Sequence, residues 1–181
     1  MEKLGTQIGS YAPDFELPGN DDAVHHLARY LEQYQAIGVV FMCNHCPYVR
    51  LYLERLKQIQ ADFRVQGFTL IGINANDATR FPEDSFDNMK SFAASNQLNF
   101  PYLWDATQDV AHSFGAERTP EVFLIDQRGV LRYTGCIDDN ANDAAAVKSP
   151  YLRAAIAQVL AGQSVTPTAT SAIGCSVKWR A

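Results

Sequence analysis

A chain of 181 residues, 47% of them hydrophobic, is long enough to bury a substantial core within one ordinary domain. Its net charge of −5 and pI near 5.3, without any cluster of lysine or arginine, exclude nucleic acid and anionic membrane as main partners. No apolar run reaches the length of a membrane span, and MEKLGTQIGSYAPDF lacks the apolar stretch of a signal peptide, so the expected compartment is the cytoplasm.

Ile8 to Leu17 reads as a lead-in, with Ala12-Pro13-Asp14 as a turn before the extended run Phe15 to Leu17. Val24 to Leu27 is placed to pair with that run across the turn-rich Gly19-Asn20-Asp21-Asp22. A short helix is expected over Leu27 to Tyr34. Ile37 to Met42 follows, too uniformly apolar for a one-sided surface strand and therefore buried on both faces.

This strand runs straight into Cys43-Asn44-His45-Cys46, and then Val49, Tyr52, Leu53, Leu56 and Phe63 recur at helical spacing until Gly67. A C-x-x-C at a strand-to-helix junction sits where unpaired backbone N–H groups and the positive end of the helix dipole favour a thiolate. Thiols so placed have lowered pKa values and react at neutral pH. Pro47 fits the first helical turn, where its missing N–H costs nothing. In a reducing compartment such a pair points to catalysis above structural stapling. Two other readings accompany it: two inert core cysteines, or half of a zinc site completed by Cys136 and Cys175. Those two are solitary, whereas structural zinc sites bring their ligands in close pairs, so no metal is expected.

Phe68 to Ile73 is a second apolar run of strand length, and strand, helix, strand in this order implies a parallel crossover. Asp84 has the position of an N-cap, with Phe86, Met89 and Ala93 along one face of a helix ending near Gln97. Phe100 to Trp104 is expected as a short segment near a rim, because Pro101 cannot donate within a central ladder. A helix over Thr107 to Phe114 closes at Gly115, and Val122 to Ile125 with Val130 to Tyr133 forms a hairpin around Asp126-Gln127-Arg128-Gly129. The last helix, Pro150 to Ala161, ends at Gly162. The order βα, β, α, ββ, α gives an α/β fold with a mixed sheet and helices on both faces. Ile173 to Trp179 is too apolar for a free tail and is expected to pack back on the domain. The organisation is thus one domain over residues 1–162 with a C-terminal extension over 163–181.

Together Ile8-Gly9-Ser10-Tyr11-Ala12-Pro13-Asp14-Phe15, the strand into Cys43-x-x-Cys46, Arg118-Thr119-Pro120 before a strand, and the Asp126-x-x-Gly129 turn resemble the redoxin branch, of AhpC/TSA type, of the thioredoxin-like superfamily. More narrowly, CNHCPYV with NAND, FPEDSF and a terminal IGCSVKW is similar to a group of bacterial thioredoxin-like proteins with such a motif. The resemblance implies a thioredoxin-like fold with an N-terminal β extension, Cys43 as exposed nucleophile and Cys46 as buried resolving thiol. It also implies a cis Pro120, which leaves the backbone of Thr119 as an exposed edge for an extended substrate segment. His45 and Asn44 between the cysteines are expected to tune the thiolate, His45 as in strongly oxidising exchange proteins. Arg118 could supply positive charge beside the substrate.

Two departures matter. Peroxiredoxins need a hydroxyl three residues before the reactive cysteine, and that position holds Val40 or Cys43 here. Thioredoxins proper carry a carboxylate on the strand entering the motif, and Ile37 to Met42 has none, so proton transfer must use another group or water. The expected function is a cofactor-free thiol-disulfide oxidoreductase acting on protein or small-molecule disulfides, recharged by a thioredoxin-type or glutathione reductant. A thiol peroxidase with antioxidant activity and a redox-sensing binding module are the alternatives. His25, His26 and His112 read as surface residues, and Cys136 as a small core residue. Cys175, on a terminal segment between Gly174 and Ser176, is a candidate third redox thiol.

Overall fold

The protein is represented by a computed structural model that describes residues 5–181. The first four residues of the amino-terminal stretch discussed above lie outside the described residues. A five-stranded sheet forms the centre. Its middle strand is β3 (Ala36–Phe41), after the small antiparallel pair β1 (Glu16–Pro18) and β2 (Val24–His26) and the helix α1 (Leu27–Gln33). The parallel partners on one side are β4 (Phe68–Asn74) and then β5 (Tyr102–Trp104). On the other side lie the antiparallel β7 (Glu121–Asp126) and β8 (Leu131–Gly135).

Every residue of β3 and β4 is buried, as continuous apolar runs covered on both faces must be. The two-residue alternation of a strand divides the core in two. Val40 and Met42 face α2 (Pro47–Phe63), α3 (Phe86–Ser95) and α5 (Tyr151–Leu160), where Tyr52, Leu56, Met89, Leu152 and Ile156 are buried. Ile37, Val39 and Phe41 face α1 and α4 (Asp109–Phe114), packing with Leu27, Ala111 and Phe114. The expected mixed sheet with helices on both faces is the observed architecture, and β5 with its neighbouring Pro101 lies at the sheet edge.

Asp84 differs from its expected role. The cap of α3 is Ser85, whose side chain accepts from the Asn88 N–H at 3.2 Å. Asp84 sits one residue earlier in the 3-10 turn Pro82–Asp84 and is completely buried. A cap needs an exposed donor-rich end, whereas this carboxylate turns inward toward the start of α2.

The C-terminal segment lies back against the sheet. Val165 and Val177 are buried, and β9 (Cys175–Ser176) pairs antiparallel with β6 (Arg118–Thr119), opposing Thr119 to Cys175 and Arg118 to Ser176. Further along, the Lys178 N–H donates to Asn76 Oδ1 and its carbonyl oxygen accepts from the Asp77 N–H, and the Trp179 ring stacks on His112 at 4.2 Å between centroids.

Candidate active site

The pair of cysteines lies where β3 passes into α2. Cys46 is the residue capping the helix and Pro47 opens it, so the Val49 N–H, unpaired within the first turn, is directed at the Cys46 sulfur. The Thr119–Pro120 peptide bond is cis, as expected, and places Thr119 against both sulfurs. Cys43 Sγ lies 3.6 Å from Thr119 Oγ1, and Cys46 as a thiol donates to the Thr119 carbonyl oxygen at 3.4 Å. The hydroxyl missing three residues before a cysteine is therefore supplied from a distant strand, which no local motif could show.

Both cysteines are buried, Cys43 at 1% and Cys46 at 2% exposure. The expectation of an exposed Cys43 is corrected here, and so is that of a free Thr119 edge. The reasons differ: Cys43 is enclosed among Thr119, Cys46 and Asp84, while β9 occupies the Thr119 edge. β9 sets Cys175 opposite Thr119, whose carbonyl oxygen takes the Cys46 thiol, so Cys175 is brought beside Cys46 at the start of α2. Three thiols thus gather around Thr119, with Cys43 at its hydroxyl, Cys46 at its carbonyl oxygen and Cys175 as its register partner.

Cys46 is the middle one and accepts from both neighbours. The bond from Cys43 is the largest influence, and with the Val49 N–H it pulls the Cys46 thiol down to about 4 against the opposing effect of burial. Losing its proton costs Cys46 one weak bond to a carbonyl and gains several donors. Cys43 moves the other way, raised by giving its proton to Cys46, then by burial and by the Asp84 charge. Cys175 is raised by its own burial and then by its bond to Cys46.

Asp84 supplies the carboxylate that the strand lacks. Its Oδ1 accepts from the Asn44 N–H at 2.8 Å and Asn74 Nδ2 at 3.2 Å, and its Oδ2 from Asn76 Nδ2 at 3.0 Å. His45, half-buried and stacked on Phe81, holds Nδ1 2.8 Å from the same Oδ2, close enough for charge pairing though without an aligned hydrogen bond. Asn44 fixes the loop between the cysteines, bonding to the Glu83 carbonyl oxygen and accepting from the buried Tyr102 hydroxyl at 2.8 Å. Its role is to hold the turn and carboxylate together. Sequence reasoning missed Asp84, Tyr102, Asn74 and Asn76 as site residues; the one available signal was the run of polar side chains directly after the apolar β4.

Arg118 is exposed beside β9 at the rim. Cys136 is buried away from the pair, with its sulfur 3.3 Å from Thr170 Oγ1, in keeping with its reading as a core residue. Among the described residues the one grouping of potential metal ligands is Cys43, His45 and Asp84, each offering an atom within 4.8 Å of the others. Cys136 and Cys175 complete no four-sulfur set with the pair. The Asp84 oxygens are already engaged by three donors and His45, which leaves little for a cation.

A profile of the AhpC/TSA family matches residues 8–134, most of the chain and all of its central sheet up to β8. The chain belongs to the AhpC/TSA family. It is similar to the thiol-disulfide oxidoreductase ResA of Geobacillus thermodenitrificans, 27% identical over 72% of this chain and 70% of that one. It is also similar to the thiol:disulfide interchange protein DsbE of Escherichia coli, 28% identical over 74% of this chain and 67% of that one. A hypothetical protein of Sinorhizobium meliloti 1021 has a crystal structure that superposes with a TM-score of 0.90, at 37% identity, covering 98% of this chain and 97% of the other. The fold is thioredoxin-like, and ResA and DsbE, to which this AhpC/TSA member is similar, are thiol-disulfide exchange proteins by name.

The cytoplasmic expectation is overturned by the same relatives. ResA and DsbE are periplasmic or membrane-anchored thiol-disulfide oxidoreductases, so the C-x-x-C draws no support from a reducing cytoplasm. No described helix is long and apolar enough to cross a membrane.

Proposed function

We propose that the protein is a thiol-disulfide oxidoreductase in which Cys46 attacks a disulfide of a protein or small molecule and Cys43 resolves the mixed disulfide. The observation that carries this reading is the division of labour around the pair: Cys46 caps α2, where the first-turn N–H groups are unpaired, while the Thr119 hydroxyl and the buried Asp84 carboxylate stand beside Cys43. The Cys46 thiolate displaces one sulfur of the substrate disulfide, which leaves as a thiolate and is protonated. Cys43 then gives its proton to the Asp84–His45 pair and attacks Cys46, so that a Cys43–Cys46 disulfide forms and the second substrate sulfur departs reduced. A thioredoxin-type or glutathione reductant returns the two electrons.

When the C-terminal strand leaves it, the Thr119 edge beside Pro120 offers backbone pairing to the extended segment that carries the substrate disulfide, with Arg118 at its rim. The peroxidase alternative needs its hydroxyl beside the reactive thiolate. Here the Thr119 hydroxyl faces Cys43, the sulfur whose proton is held more tightly. Reduced protein assayed side by side against insulin and hydrogen peroxide tests the choice. Insulin should be reduced catalytically in the presence of a dithiol. Peroxide oxidation above about 10⁴ M⁻¹s⁻¹ with insulin left intact would establish a peroxidase, and a disulfide that forms without turnover on either would establish a sensor.

A further inference from the structure

The segment occupying the proposed substrate edge belongs to the chain itself, and it brings a thiol with it. Cys175 is the register partner of Thr119, and the Thr119 carbonyl oxygen accepts from Cys46 at 3.4 Å, so strand pairing brings Cys175 beside Cys46. The seat is closely built. A Cβ on Gly174 would come within 2.2 Å of the Thr119 carbonyl oxygen and 2.6 Å of its carbon, so only glycine lets the tail approach this edge. Beyond the strand, Val177 N–H bonds to the Glu117 carbonyl oxygen at 2.9 Å, and Gln108 accepts from the Arg180 N–H and donates to the Lys178 carbonyl oxygen.

We propose that the docked tail presents Cys175 as a second resolving thiol for Cys46. The proposal rests on Cys46 being the attacking sulfur. Substrate and tail compete for the Thr119 edge, so a substrate strand that has formed a mixed disulfide with Cys46 is displaced when the tail returns. The Cys175 thiol loses its proton to solvent at the half-exposed rim and attacks Cys46 Sγ. The Cys46–Cys175 disulfide forms, the bond between Cys46 and the substrate sulfur breaks, and that sulfur leaves as a thiolate to be protonated. No outside oxidant enters, because the electrons move between sulfurs alone. Burial is the largest cause raising the Cys175 thiol and remains, but once Cys46 is bound to substrate its negative charge is gone and the further rise that Cys46 imposes goes with it, while the Tyr48 amide and Lys178 still favour the Cys175 thiolate.

Full-length reduced protein exposed to oxidised glutathione, quenched in acid, alkylated and mapped as peptides gives the test. Wild type should yield the Cys43–Cys46 pair. Cys43→Ser should yield Cys46 joined to Cys175 with glutathione released, and Cys43→Ser with Cys175→Ser should hold glutathione on Cys46. Adding Gly174→Ala to Cys43→Ser keeps every sulfur but lifts the strand, and should lower the Cys46–Cys175 link at least about tenfold. Glutathione retained on Cys46 of Cys43→Ser, with Cys175 freely alkylated, would overturn the proposal while leaving the attack by Cys46 intact. An undiminished link in the Gly174→Ala form would show that docking does not deliver the thiol and would overturn it also. Glutathione found on Cys43 of a Cys46→Ser protein, and never on Cys46, would overturn both readings together.

Discussion

At the scale of single residues, Asp84 governs the chemistry beside Cys43. Asp84→Asn removes the charge that opposes Cys43 ionisation and so should lower the Cys43 pKa, yet it also removes the base that takes the proton. The second effect should dominate turnover, since positioned proton transfer contributes about 10²-fold or more. In a Cys175→Ser background, stopped-flow insulin reduction should slow on that scale while mixed disulfides accumulate on Cys46; faster turnover would assign Asp84 a purely repressive role. Unfolding measurements must accompany it, because the Asn44, Asn74 and Asn76 donors would face an amide in place of a carboxylate. The order of attack is checked by trapping with insulin: a Cys43→Ser, Cys175→Ser protein should accumulate mixed disulfides and Cys46→Ser should not. The reverse result would restore the roles implied by family resemblance. The pH dependence follows from the direction of the shift. A Cys46 thiol near 4 is already ionised at neutrality, so its alkylation rate should be flat between about pH 6 and 8. An ordinary cysteine near 8.5 gains about tenfold per pH unit there. Cys43→Ala removes the largest cause of the depression and should bring part of that slope back; a steep slope in wild type would contradict the assignment. The sequence displayed the two cysteines and His45 plainly. It hid Asp84, because the carboxylate reaches the pair through a turn four tens of residues away that reads locally as a helix start.

At the scale of elements, α2 must hold its N-terminus fixed against Thr119. Arg55 pins it, with Nη1 at 2.8 Å from Asp138 Oδ2 and 2.6 Å from the Asn140 carbonyl oxygen, while the Tyr52 hydroxyl donates to Asp138 Oδ1 at 3.0 Å. Asp138 is nearly buried, so Arg55→Met leaves a charge without its main partner. The loss should be about 3 kcal/mol, a fall of ~10 °C in Tm for a chain of this size. Calorimetry showing no change would mean that water or Tyr52 alone satisfies the carboxylate. Helices and strands were readable in the sequence wherever apolar spacing was sustained, as in β3, α2 and β4. The Arg55–Asp138 tie was not, because α2 and the loop after β8 meet only once the sheet has formed.

At the scale of the whole molecule, the sheet order and the tail make one device. The crossover β3–α2–β4 puts the cysteines at the sheet's end, the β7 strand brings Thr119 and Pro120 opposite them, and the C-terminal segment closes over both. The strand–helix–strand order conveyed the first part and the family resemblance the second. Neither conveyed that the tail takes the substrate edge, since pairing across more than fifty residues between Thr119 and Cys175 leaves no periodicity to read. The central claim is a reversible dithiol–disulfide cycle at this site. Full-length protein equilibrated across a series of dithiol–disulfide buffers, quenched in acid and alkylated, should show one two-electron transition in which two thiols become protected, with Cys46 in every disulfide recovered and Cys136 always free. Four thiols open to alkylation at every potential, or a protected pair that excludes Cys46, would contradict the account.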